Sequence, residues 1–207
     1  MTLTNRWNRL VYRLWSPFYD TMFGPLIIAA RRQVIRTLDA QPGERILFVG
    51  VGTGLDLPLL PAGVAATGID LSTDMLARAN ARLSPEQSLV NGDALTLPFP
   101  SGLFDGAVMN LVLSVVPQAD VCLRETARVL GPGGRIVVFD KFAPDGARPT
   151  LRRRLLNAFT TLAGTDITRR LDDILAGSSC TQIRNDPAML RGVYRIAVFQ
   201  KTAERSS

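Results

Sequence analysis

Residues 45–54, RILFVGVGTG, constrain this chain more than any other stretch: five residues rich in aliphatic and aromatic side chains run straight into Gly50-Val51-Gly52-Thr53-Gly54. A short apolar run bounded by turn signals predicts a buried strand over Arg45–Val49. Glycines at its end let the backbone turn through conformations closed to other residues and approach a ligand closely. The G-x-G-x-G spacing is tighter than the dinucleotide pattern G-x-G-x-x-G, whose third glycine would fall at Leu55, so NAD or FAD is disfavoured. Taken alone, the loop could equally be a plain glycine-rich turn.

The segments that follow alternate in period. Residues 64–69 predict a strand, 72–83 a helix capped by Ser72 or Thr73, and 87–90 a strand ending at Asn91-Gly92-Asp93. Residues 104–109 predict a further strand, and 119–130 a helix stopped by Gly131-Pro132-Gly133-Gly134. A strand over residues 135–140 follows. This β-α-β alternation predicts an α/β fold: a Rossmann-like, doubly wound, mostly parallel sheet. Residues 181–184 and 193–200, separated by a loop containing Pro187, predict a closing pair and an antiparallel C-terminal edge strand. Upstream, residues 3–38 read as helical with breaks at Ser16-Pro17 and Gly24-Pro25, an N-terminal helical lid. The expected organisation is one domain over 1–207: lid 1–40, ligand-binding core 44–140, and substrate-side helices with closing strands over 141–202.

Two acids gain weight from their place in this order. Asp70, in Gly68-Ile69-Asp70-Leu71-Ser72, is expected as an exposed carboxylate that can accept both hydroxyls of a ribose lying across the strand ends. Asp93, in Gly92-Asp93-Ala94 after the third strand, is placed to read an adenine amino group, with the neighbouring backbone N–H available to a ring nitrogen. Either acid alone could serve merely as a helix cap or a turn residue.

The series VGVGTG, GIDLS followed by DML, GDALTLPFP, FDGAVMN and RVLGPGG resembles the class I S-adenosylmethionine (SAM)-dependent methyltransferases, over residues 44–140 and in the family's order. The opening with Trp-Ser-Pro-Phe-Tyr-Asp and the segment from Asn110 through Ser114-Val115-Val116-Pro117 look like the small bacterial phosphatidylethanolamine N-methyltransferases and the quinone C-methyltransferases. The resemblance implies SAM as cofactor and S-adenosylhomocysteine as product. It implies that Gly50, Val51, Gly52, Thr53 and Gly54 cradle the methionine part, with Asp70, Leu71 and Met75 at the ribose. Gly92, Asp93 and Ala94 would flank the adenine, Asn110 and Leu111 would lie beside the sulfonium, and Tyr19 would close the lid. In one position the chain departs from the family pattern: two residues before the first glycine, where most members carry an acid for the methionine ammonium, stands Phe48.

Composition narrows the chemistry. Histidine is absent, which excludes Ser-His, Cys-His and His-metal mechanisms. Any general base must come from Asp, Glu, Tyr, Lys or water, and Tyr19 and Asp140 are the catalytic candidates, with Asp20 and Lys141 as weaker ones. Cys122 and Cys180 lack the paired spacing of a zinc or redox site, and no metal is expected. The net charge of +6 favours contact with phosphate-bearing partners. Nucleic acid is not favoured among them, because Met109-Asn110-Leu111-Val112 lacks the proline-rich motif that amino-group nucleic-acid methyltransferases carry after the fourth strand.

Trp7, Trp15, Phe18 and Phe23 lie among Arg6, Arg9 and Arg13, a pattern that suits a membrane interface as well as a packing helix. The basic run Arg152-Arg153-Arg154 could meet anionic lipid or be a solvated helix face. The expectation is a cytoplasmic protein, peripheral at the inner face of the membrane if the lid binds there. The predicted function is methyl transfer to a small or lipid-like acceptor such as the amine of phosphatidylethanolamine. A quinone or small thiol acceptor, or a SAM-binding module without turnover, is the alternative.

Overall fold

The computed structural model describes residues 24–143 and 169–202. Its helices are α1 (Gly24–Leu38), α2 (Thr73–Asn80), α3 (Ala119–Val129) and α4 (Leu171–Leu175). Its strands are β1 (Arg45–Val49), β2 (Ala65–Asp70), β3 (Gln87–Asn91), β4 (Phe104–Asn110), β5 (Leu130–Lys141), β6 (Cys180–Met189) and β7 (Tyr194–Lys201).

The strands form one seven-stranded sheet in the order β3-β2-β1-β4-β5-β7-β6. β1 through β5 are parallel, and β7 runs antiparallel between β5 and β6. The chain winds outward from β1 to β3, then returns to place β4 on the other side of β1. The carboxyl ends of β1 and β4 therefore flank the point where the winding reverses, where an open α/β sheet has a natural crevice. The expected Rossmann-like sheet with an antiparallel pair at its C-terminal edge is present.

Alternation along the central strands divides the core. Leu47 and Val49 of β1 join α3 and α4 on one face, while Ile46 and Phe48 join Ala30, Val34, Ile35 and Leu38 of α1 on the other. α3 sends Cys122, Leu123, Ala127 and Val129 inward at helical spacing. Burying each large aliphatic side chain contributes about 1.5–3 kcal/mol, so these two layers hold the sheet ends in fixed relation.

Several strand ends shift by one residue from the sequence reading, and three boundaries differ by more. α2 is shorter, ending at Asn80; Ser72 is its cap, with its hydroxyl accepting from the Met75 N–H at 3.3 Å. Gly131–Gly134 does not separate helix from strand as a free loop. β5 begins at Leu130, and the four residues bulge out between the pairs Phe104↔Leu130 and Gly106↔Arg135. Pro187 lies inside β6 rather than in a loop before the last strand. It is tolerated because β6 is the outermost strand, and a register shift next to it absorbs the missing ladder donor. Of the expected lid, α1 is described, with Pro25 in its first turn, where the missing N–H costs nothing; residues 1–23, and the Arg152-Arg153-Arg154 run, lie outside the described residues.

Candidate active site

β1 delivers the glycine loop to the crevice, and long-range backbone bonds shape it. The Val51 N–H donates to Ile69 O at 3.0 Å, and the Gly54 N–H returns to Val51 O at 3.0 Å. Gly50 has φ +65°, and a Cβ built on it would lie 2.1 Å from Cγ2 of Val112. The loops after β1 and β4 are thus pressed together at a position only glycine can occupy. Gly52 has φ +56° but a Cβ built on it meets nothing within 4 Å among the described residues, so within them the loop is tight at its root and open at its tip. An open tip is what a ligand lying along the backbone needs.

Asp70 closes the far side. Its Oδ2 accepts the Gly52 N–H at 2.8 Å and its Oδ1 the Ser72 N–H at 2.9 Å. It is therefore not the freely exposed carboxylate expected from sequence: it is half-buried and already ties the glycine loop to the start of α2. Burial pushes its carboxyl above the usual range, with the N–H groups of Ser72, Gly52 and Leu71 pulling the other way. A carboxylate offers about four lone-pair sites, so Asp70 keeps acceptor capacity that a ribose hydroxyl can use.

The β3 corner is ordered around the same acid. Gly92 N–H donates to Asp70 O at 3.1 Å, and the Asn91 amide donates to the carbonyls of Asp70 (3.0 Å) and Leu71 (3.2 Å). Asp93 folds its own turn by accepting the Leu95 N–H at 2.9 Å. Gly92, Asp93 and Ala94 are half-buried here, and Met75 is buried beneath α2. Asn91 was missed by sequence reasoning, since a strand-end Asn carries no signal of its own.

At the end of β4, Asn110 is 7% exposed, and among the described residues neither amide atom has a hydrogen-bond partner. Leu111 beside it takes φ +59°, a conformation costly for a branched side chain, held by its N–H donating to Phe139 O at 2.8 Å. A buried unpaired amide next to strained backbone at the switch point is the kind of feature found at ligand sites.

Asp140, expected as a base, is 0% exposed. Its Oδ2 accepts the Ser114 N–H at 2.9 Å and its Oδ1 the Lys141 N–H at 2.8 Å. Burial raises its carboxyl, opposed by the Ser114 and Lys141 bonds. Arg169, also missed, donates to the carbonyls of Leu113 and Val116, both at 2.5 Å, so Asp140 and Arg169 hold residues 113–116 from two directions. Tyr19 and Asp20 lie outside the described residues. Phe48 is 1% exposed and packs in the apolar layer under α1.

The loops after β1, β2, β3 and β4 thus converge around an open glycine tip, an acid with spare acceptor capacity and an unpaired amide. The family profile of a methyltransferase domain matches residues 47–138, the span that carries all four loops. A curated relative, phosphatidylethanolamine N-methyltransferase of Cereibacter sphaeroides, is 34% identical over 195 residues, covering 92% of this chain and 95% of that protein.

The chain belongs to the SAM-dependent methyltransferase family.

A second methyltransferase relative, demethylmenaquinone methyltransferase of Beutenbergia cavernae, is 40% identical over 118 residues, which is 56% of this chain. The chain spans about half of that relative, 49% of its length. Among solved structures, a geranyl diphosphate methyltransferase in complex with SAM superposes with a TM-score of 0.69 at 17% identity, over 83% of this chain and 85% of that one, and so shares the methyltransferase fold. SAM is the cofactor of this methyltransferase, and the residues around the crevice suit it: open space at Gly52, acceptor capacity at Asp70 and an unpaired amide at Asn110.

Proposed function

We propose that this methyltransferase modifies a small or lipid-like acceptor, with the amine of phosphatidylethanolamine the first candidate. The observation that carries this reading is the likeness to the Cereibacter sphaeroides enzyme over nearly the whole of both chains, because the acceptor side of such a fold is built outside the cofactor core and the likeness extends there. A quinone acceptor is the second reading, favoured by the higher identity to the demethylmenaquinone enzyme, but over the core half alone.

The cofactor supplies a methyl group on a sulfonium whose positive charge already activates it. The protein's part is then alignment and exclusion of water. Gly50, Val51, Gly52, Thr53 and Gly54 hold the methionine end, Asp70 with Leu71 and Met75 the ribose, and Gly92, Asp93 and Ala94 the adenine. Asn110 and Leu111 border the reacting centre, where the amide of Asn110 can orient an acceptor heteroatom. Asp140 has both oxygens engaged by backbone N–H groups, and its geometry fits a positioning residue for the 113–116 loop better than a base. Tyr19, which the family resemblance assigns to the lid and which lies outside the described residues, is the remaining candidate for handling the amine proton.

The net charge of +6 supports peripheral contact with anionic lipid, where such an acceptor resides. No helix among the described residues is long and apolar enough to cross a membrane.

The test is methyl transfer from labelled SAM to phosphatidylethanolamine vesicles, to demethylmenaquinone and to a small alkyl thiol. Label in monomethylated and dimethylated phosphatidylethanolamine is expected. Label in the quinone or thiol alone would overturn the lipid-amine assignment.

A further inference from the structure

Phe48 leaves the family's usual acid position without a charge, yet the chain buries a carboxylate close by in sequence and on the same side of the sheet. Asp56 follows the glycine loop by two residues and is 2% exposed. Its Oδ2 pairs with the Arg31 guanidinium of α1 at 2.5 Å, the two side chains being 3% and 15% exposed. The pair's sequence neighbours Ala30 and Leu57 belong to the same apolar layer as Phe48, so the pair sits at the edge of the layer that Phe48 fills.

The pair is incompletely satisfied in a particular way. Among the described residues, Asp56 Oδ1 and Arg31 Nε are buried with no hydrogen-bond partner. A buried ion pair between two elements earns little net stability, and leaving one acceptor and one donor unmade subtracts from it. One free anionic acceptor beside one free cationic donor is the complement of an amino-acid zwitterion: α-ammonium to the acid, α-carboxylate to the guanidinium.

Resting on the methyltransferase reading above, we propose that Asp56 and Arg31 form the recognition site for the amino-acid end of the cofactor, with Asp56 taking over the ammonium contact that Phe48 cannot make. The charge has moved from the strand to the segment after the glycine loop, and Arg31 ties that segment to α1. Neither residue touches the reacting atoms; both act on affinity.

The test is calorimetric titration of the full chain and of Asp56→Asn and Arg31→Gln with three ligands. These are S-adenosylhomocysteine, its decarboxylated form, and methylthioadenosine, which lacks the amino-acid end. Asp56→Asn is expected to weaken the first two by about ten- to a hundredfold and leave methylthioadenosine unchanged. Arg31→Gln is expected to weaken S-adenosylhomocysteine alone. Equal loss of all three ligands in both variants, or no loss in either, would overturn the proposal; if Asp56→Asn does not fold, the Arg31→Gln pattern decides. Wild-type protein that binds methylthioadenosine as tightly as S-adenosylhomocysteine would also overturn it while leaving the nucleoside site intact. Binding of none of the three would instead remove the cofactor-site reading on which it rests.

Discussion

The Gly52 N–H donates to Oδ2 of Asp70 at 2.8 Å, joining the tip of the glycine loop to the end of the neighbouring strand. One carboxylate thereby sets the loop's shape and, in the proposed site, receives the ribose. A substitution at Asp70 should cost both functions together. Asp70→Ala removes the acceptor for two backbone N–H groups and for the hydroxyls. SAM affinity, measured by calorimetry, is expected to fall at least about tenfold, on the scale of one charge-assisted bond. Unchanged affinity would remove Asp70 from the site.

Acidity should act on binding and stability in opposite directions. Burial raises the Asp70 carboxyl above its unfolded value, so between those two values the folded chain holds a proton that the unfolded chain has lost. The associated stability is full below the unfolded pKa and is lost as pH rises through the folded one. The hydroxyls of a ribose need the ionised acceptor, so SAM affinity should decline as pH falls through the raised pKa, above the usual carboxylate range. Titrations across mildly acidic pH should show this decline in wild type and a flatter profile in Asp70→Asn; parallel profiles would exclude Asp70 as its source.

Gly50→Ala should be far more damaging than Gly52→Ala. The first places a methyl 2.1 Å from Val112 and forces φ +65° on alanine; the second meets the φ penalty alone. Strain of about 1–3 kcal/mol is expected for the unfavourable φ, with overpacking of about 1–3 kcal/mol added at Gly50. Thermal denaturation should rank the two, and Val112→Ala should recover part of the Gly50→Ala loss.

Asp140→Ala should lower stability by about 1–3 kcal/mol for the buried Ser114 N–H left unpaired, and by less for the part-buried Lys141 N–H. If Asp140 positions the 113–116 loop, acceptor KM should rise and the pH profile of kcat should keep its shape. Loss of one limb of that profile would mark it as a base after all.

Arg169→Met should loosen the same loop from the opposite side. Its guanidinium reaches the carbonyls of Leu113 and Val116 across more than fifty residues of sequence. A rise in acceptor KM with SAM affinity unchanged is the expected outcome; an equal effect on SAM binding would show that the loop also supports the cofactor.

Local rules were enough for the sequence to determine the elements and their order. Strand and helix periods act over a few residues, and a glycine demanded by φ or by close approach is visible where it stands. The switch-point crevice, its glycine loop and the places of Asp70 and Asn110 at the strand ends were therefore legible from residues 44–140, whereas the burial of Asp70 was not. The edge of β6 was less so, because Pro187 reads as a loop unless the strand is known to be outermost. Tertiary structure alone decided which polar groups meet: Asp70 with Gly52, Asp140 with Ser114, Arg169 with Leu113 and Arg31 with Asp56 are separated by 18, 26, 56 and 25 residues. No periodicity spans such distances. Those contacts exist because the packing of α1 and the sheet ends brings charged groups into places where water cannot solvate them, and only then does a partner become obligatory.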